Sequence, residues 1–197
     1  LTLGTKYVIE GNAQWWQEYI RENISVVAMN EEEGAALTGE TEPLAAANKA
    51  LEWVDLVLCT AGPNGLYMAG YTDEKVKRET THDILEGSIE AFNQYEFSRA
   101  MRKGDCEKPM KVYSYIGPYL GGPLEIKNTN GAGDAALSAL LHDMAANSFH
   151  QKEVPNSEKH EVRCLTYSSL SQICKYANRV SYEVLTQHSP RLSRALP

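Results

Sequence analysis

No apolar run in these 197 residues approaches the roughly 20 that a membrane-crossing helix needs. The first residues also lack the basic and apolar segments of a secretory signal, so the expected compartment is the cytoplasm. The four cysteines, Cys59, Cys106, Cys164 and Cys174, form no C-x-x-C pair, and the five histidines show no H-x-x-x-H spacing. Both absences argue against a structural zinc site. Cys59, in an apolar strand, and Cys174, on an apolar helix face, read instead as small core residues in a reducing environment. No G-x-x-x-x-G-K-[ST] occurs, which excludes a P-loop. A formal net charge of −7 with no basic stripe argues against nucleic-acid binding, so an anionic ligand would depend on local amides and a cation. Internal repeats and low-complexity tracts are absent as well. What remains, 43% hydrophobic and 23% charged, is ordinary for one globular domain.

The stretch richest in chemistry is Asn128-Thr129-Asn130-Gly131-Ala132-Gly133-Asp134, which runs into the apolar helical segment Ala135 to Met144. Two glycines around one alanine allow a tight turn into a helix whose first N–H groups point outward, a favourable place for an anion. Asp134 would repel a lone phosphate there. It suits group transfer, in which a carboxylate accepts a proton from an attacking hydroxyl while amides stabilise the moving phosphoryl. The bland alternative, that Asp134 caps the helix and the glycines only turn the chain, has about equal weight on this heptapeptide alone. A dinucleotide or methyltransferase turn fits less well, because Gly121-Gly122-Pro123 leaves only a short polar strand, Leu124 to Lys127, before it.

Elsewhere strand-like and helical patterns alternate. Lys6–Ile9 reads as a short strand, and Gln14–Arg21 as a helix with Trp15 and Trp16 packed inward. Ile24–Met29 is a buried strand, followed by an acidic turn and a short helix to Leu37. Leu44–Val54 is helical, Leu56–Cys59 is the next buried strand, and Gly65–Ala69 returns as an antiparallel edge. The alternation predicts crossovers and a parallel sheet. From Tyr71 to Pro109 the rhythm breaks in an apparent insertion, with a helix expected over Ser88–Met101. A second polar interruption spans Asn147–Arg163. A long amphipathic helix is expected from about Thr166 to Gln187, ended by Ser189-Pro190.

Two further motifs fall at strand ends. Asn30 and Glu33 stand where open α/β sheets bind ligands, although taken alone their spacing favours a capping box. Thr60-Ala61-Gly62-Pro63-Asn64-Gly65 lies at the same edge one strand later, where a simple tight turn would also account for it.

Taken in order, N-x-x-E, T-x-G-x-x-G and N-G-A-G-D resemble the C-terminal half of the ribokinase-like (PfkB) carbohydrate and nucleoside kinases, over roughly Lys6 to Pro190. The wording of ISVVAMNEEEGAALTGE, DLVLCTAGPNGLYMAGY, NQYEFSRAMR and CKYANRVSYEVLTQHSPR, and the insertion itself, are similar to its purine-nucleoside branch. The resemblance implies a three-layer α/β fold with a mainly parallel central sheet flanked by helices. It implies that Asp134 deprotonates a sugar 5′-hydroxyl, with Gly131, Ala132 and Gly133 forming the anion hole. Thr60, Gly62 and Gly65 would line the ATP site, Asn178 would lie near the adenine, and Asn30 and Glu33 would organise Mg²⁺ through water. The implied reaction is transfer of the γ-phosphoryl group of ATP to inosine or guanosine, in purine salvage. A sugar kinase of the same family and a non-catalytic nucleotide sensor are the alternatives. Dependence on K⁺ and homodimer formation are left open. Asn128 stands where the family signature has Asp, with little effect expected because that position is not the base. The N-terminal substrate and lid half of such a kinase, with its Gly-Gly motif, has no counterpart in residues 1–197. The chain is therefore expected to be part of a longer polypeptide and to be inactive by itself.

Overall fold

The computed structural model describes residues 1–119 and 125–192. Four strands form one sheet in the order β1-β2-β3-β4: β1 is Val26–Asn30, β2 Leu56–Thr60, β3 Leu66–Asp73 and β4 Pro109–Ile116. Side chains alternate across each strand. On β2, Val57 and Cys59 join one buried cluster while Leu56 and Leu58 join another on the opposite face. The first cluster is closed by α1 (Lys6–Glu10), α2 (Ala13–Asn23), α3 (Glu31–Thr38) and α4 (Pro43–Ala50). The second is closed by α5 (Ala132–Glu153) and α6 (Leu170–Leu185). Helices on both faces of a sheet give the three-layer α/β architecture expected. None of the described helices is long and apolar enough to cross a membrane.

The sheet is mixed rather than mainly parallel. Only β1 and β2 run parallel; β3 is antiparallel to both β2 and β4. The reason lies in the turn at 61–65, where the Ala61 N–H donates to the Gly65 carbonyl at 2.8 Å. So short a link can only reverse the chain. Nor is β3 an edge, since β4, a strand unforeseen in the sequence, covers its outer side over eight paired residues.

Other departures have local causes. Lys6–Ile9 is helical: Ile9 alone in α1 is buried, Tyr7 and Val8 are exposed, and Lys6 reaches Glu32 of α3 at 3.0 Å. Trp15 is 55% exposed and stacks on Tyr19, leaving Trp16 as the inward member of the pair. The α4 helix stops at Ala50 rather than Val54, because the Glu52 and Trp53 amides tighten onto the Lys49 and Ala50 carbonyls. The helix α5 continues to Glu153, through the start of the supposed polar interruption, while α6 begins at Leu170 behind a Ser169–Gln172 capping box. Residues 125–128 form no strand, and Gly121, Gly122, Pro123 and Leu124 lie outside the described residues.

Ser88–Met101 is not a helix but a chain of turns, closed where the Gln94, Glu96 and Ser98 amides donate to the carbonyls three residues back, while other backbone bonds run outward. The Ser98 and Glu96 carbonyls accept the Leu170 and Ser171 amides, and Met101 N–H donates to the Tyr71 carbonyl. Arg99 donates to the carbonyls of Thr166 and Lys159 and to Asn147 Oδ1, at 2.6 to 2.8 Å. The buried Glu96 carboxylate accepts from Thr80 and Ser114 and contacts His82. Long-range pairing thus overrides the helical spacing of Phe92, Tyr95 and Ala100. The excursion leaves and rejoins the sheet at one point. There the Asp73 carboxylate gathers the amides of Lys75, Glu107 and Lys108, which hold it below the usual carboxylate range.

Candidate functional site

The parallel pair β1–β2 ends with Asn30 beside Thr60, in register. Asn30 caps α3: its Oδ1 accepts the Glu33 amide at 2.8 Å, and Glu33 Oε2 accepts the Asn30 amide at 3.0 Å. This reciprocal capping box is the structural alternative weighed for the N-x-x-E motif, and it is present. Glu33 is only 6% exposed. With one oxygen of each side chain held by backbone, the pair offers Mg²⁺ at most one further carboxylate oxygen. Mg²⁺ commonly keeps several waters and takes one or two carboxylates plus phosphates. These residues therefore fit a role through water and not a direct coordination set. Among the described residues no group of three or more His, Cys, Asp or Glu is placed to hold a metal.

After Thr60 the chain turns through Gly62 and Gly65. Gly62 has φ +49° and open space where a Cβ would be. Gly65 has φ +95°, and a Cβ there would stand 2.1 Å from the Ile116 carbonyl oxygen, so the turn presses directly on the end of β4. The next carbonyl along, that of Gly117, accepts from Asn178 Nδ2 of α6 at 3.2 Å. Beside the turn opens a groove of ≈ 770 Å³ lined in part by Glu31, Pro63, Asn64, Tyr67 and Tyr115. The Cys59 thiol next to Thr60 is pushed up to about 12, by burial first, as befits an unreactive core residue.

The third part of the site is the N-terminus of α5. Gly131 is the N-cap, in the left-handed region at φ +84°, with the Pro190 carbonyl oxygen 2.6 Å from where a Cβ would lie. Ala132, Gly133 and Asp134 follow as the first three helical residues. Their N–H groups belong to the turn that has no intrahelical acceptors; that of Ala132, expected in the anion hole, donates instead to the Thr129 carbonyl at 3.4 Å, which leaves those of Gly133 and Asp134 for an anion. Asp134 is exposed, and its carboxylate makes no hydrogen bond or ion pair among the described residues. Asp134 is thus not a cap. Gly133 is exposed too, and a Cβ added to it would meet nothing within 4 Å. A free carboxylate beside outward amides can take a proton next to a stabilised anion.

Two of the three parts are joined by α6: Asn178 holds Gly117 beside the Gly65 turn, and Ser181, three residues on, donates to the Ala132 carbonyl at 2.8 Å. Asn30, Glu33 and Thr60 form the separate group at the strand ends. Ser181 and Gly117 escaped the sequence reading. For Ser181 the available signal was its position one turn beyond Asn178, on the same helical face.

No protein-family model matches the chain. It is 66% identical, over all 197 residues, to guanosine-inosine kinase of Escherichia coli K12, and equally to that of two other E. coli strains. The alignment covers 45% of that enzyme, so the chain spans less than half the length of these relatives. Among solved structures, a probable sugar kinase from Rhizobium etli matches 99% of the chain and 41% of its own length, with 16% identity and a TM-score of 0.59. Adenosine kinase from Sinorhizobium meliloti gives the same coverage and identity with a TM-score of 0.57. Adenosine kinase from Schistosoma mansoni, in complex with 2-fluoroadenosine, matches 98% of the chain and 43% of its own length, with 15% identity and a TM-score of 0.56. The chain is thus a close sequence relative of guanosine-inosine kinase along its whole length, and its fold is that of the ribokinase-like (PfkB) kinases.

Proposed function

We propose that the chain is the ATP-binding and catalytic-base portion of a nucleoside kinase that transfers the γ-phosphoryl group of ATP to the 5′-hydroxyl of inosine or guanosine, as in purine salvage. The observation that carries this is the free Asp134 carboxylate at the amide-lined start of α5, within a sequence so similar to guanosine-inosine kinase. Asp134 takes the proton of the acceptor hydroxyl, whose oxygen attacks the γ-phosphorus, and ADP departs with the electrons of the broken P–O bond. The N–H groups of Gly133 and Asp134 stabilise charge on the equatorial oxygens. Mg²⁺, bound to the phosphates, would neutralise developing charge, with Asn30 and Glu33 orienting its waters. The turn from Thr60 to Gly65 and Asn178 would hold the nucleotide. Contacts to the acceptor would come mainly from the rest of a longer polypeptide, so residues 1–197 alone should bind nucleotide weakly and turn over negligibly.

The test is Asp134→Asn in the full-length protein. Loss of a general base lowers the rate by about 10²- to 10⁴-fold, while Mg·ADP binding by calorimetry stays near wild type. Normal turnover refutes the assignment. A parallel panel of nucleosides and sugars tests the acceptor, and preference for a free sugar overturns that part.

A further inference from the structure

Ser181 lies on the face of α6 that meets the start of α5, and its hydroxyl donates to the Ala132 carbonyl oxygen at 2.8 Å. That carbonyl and the Gly133 N–H belong to a single peptide unit. Hydrogen bonds polarise one another through such units, so a donor on the oxygen makes the N–H at the other end a stronger donor. Three further contacts seat the same turn on the end of α6 and the residues after it. The Lys127 amide donates to the Leu185 carbonyl at 2.9 Å, and Asn128 Nδ2 donates to the His188 carbonyl at 2.9 Å. Gly131 packs against Pro190 so closely that no side chain fits between them. The turn is therefore not shaped by its glycines alone. It is moulded against a second helix, and of these contacts only the Ser181 bond falls on a peptide whose N–H lies in the exposed first turn.

We propose that Ser181 is a positioning residue for phosphoryl transfer, fixing and polarising the Ala132–Gly133 peptide so that its N–H is aimed at the transferring group. This rests on the reading of the α5 N-terminus as the anion hole. Asn128 belongs to the same device: its Oδ1 accepts the Asn130 amide at 2.9 Å while its Nδ2 holds His188, which gives the amide at this signature position a use that a carboxylate could not supply, since a carboxylate has no N–H to donate.

The experiment is a single-turnover measurement on the full-length protein and its Ser181→Ala, Ser181→Thr and Asp134→Asn variants, with the melting temperature and the KM for ATP recorded for each. Loss of one neutral hydrogen bond predicts a rate about two- to tenfold lower for Ser181→Ala. Its KM for ATP should stay within about twofold, and Ser181→Thr, which keeps the hydroxyl, should recover the rate. A lower melting temperature with an unchanged rate would reduce Ser181 to a packing contact and overturn the inference, as would a slow Ser181→Ala whose rate Ser181→Thr does not restore. If Asp134→Asn is inactive while Ser181→Ala runs at the wild-type rate, this inference alone fails. If Asp134→Asn turns over normally, the reading beneath it fails.

Discussion

Replacing Gly65 with alanine isolates the close approach between the 61–65 turn and β4. At φ +95° and ψ −147° the residue occupies a region open essentially to glycine alone, and an L-residue there costs on the order of 1–3 kcal/mol. The new methyl would also sit 2.1 Å from the Ile116 carbonyl oxygen. That oxygen belongs to a strand paired to Leu66, so it cannot rotate aside as a side chain would. The ends of β3 and β4 must part, weakening at least one ladder bond worth about 0.5–1.5 kcal/mol. The sum is about 1.5–4.5 kcal/mol, a large share of the ~5–15 kcal/mol that holds a typical domain folded. With a urea m-value of about 2 kcal/mol/M, the midpoint should fall by about 1–2 M. Gly62→Ala is the control. It has φ +49° with nothing within 4 Å of the added carbon, so only the left-handed penalty of about 1–2 kcal/mol applies. Gly62→Ala should therefore unfold at a higher urea concentration than Gly65→Ala. Equal midpoints for the two variants, or an unshifted Gly65→Ala, would refute the claim that the Ile116 contact shapes this turn.

Three other expectations follow from the same geometry. Gly133→Ala meets no clash inside α5 and should hold or raise stability by up to about 1 kcal/mol through helix propensity; a slower phosphoryl transfer without loss of melting temperature would show that a ligand approaches this backbone closely. Glu33→Gln keeps an oxygen for the Asn30 amide, so its melting temperature should change little. A changed Mg²⁺ dependence would then report the lost charge, and an unchanged one would leave Glu33 as a cap. His160, whose Nε2 lies 2.7 Å from His150 Nδ1, is held below its usual 6.5 by burial, then by the charges of His150, Arg99 and Lys159. Since the unfolded chain binds that proton more readily, the associated stability is complete above pH 6.5 and is lost as pH falls through the folded value. His160→Gln should flatten the dependence of the urea midpoint on pH just below pH 6.5, and an unaltered slope would contradict this.

Elements governed by local rules were legible in the sequence. The buried runs of β1 and β2, the apolar stripe of α6 and the turn from Gly131 to Asp134 are set by side-chain periodicity and backbone freedom, which a short window contains. What escaped depends on partners far along the chain. Phe92, Tyr95 and Ala100 have helical spacing, yet Ser98 and Glu96 bond to residues some seventy positions later. Lys6–Ile9 has strand-like composition, but a single inward residue, Ile9, meets α3. At the site, the residue types and their order were readable, while the capping box at Asn30, the seat of Gly65 on Ile116 and the reach of Ser181 all required the neighbouring element to be in place.

The clasp at Asp73 separates two properties of the 74–108 excursion. Because β3 and β4 pair all the way to Asp73 and Pro109, the sheet is indifferent to how long a path the chain takes between them. Doubling such a path adds only about 0.6 kcal/mol of closure entropy. Its middle is not free to vary in the same way, since the backbone from Glu96 to Ala100 is the template on which the chain between Leu165 and Ser171 is laid before α6 begins. A change of length is therefore free of the sheet but not of the bonds that Thr80 and His82 make to Glu96 and Leu85 makes to Asn93, and the register from Glu96 onward is tied to the orientation of the helix that carries Asn178 and Ser181.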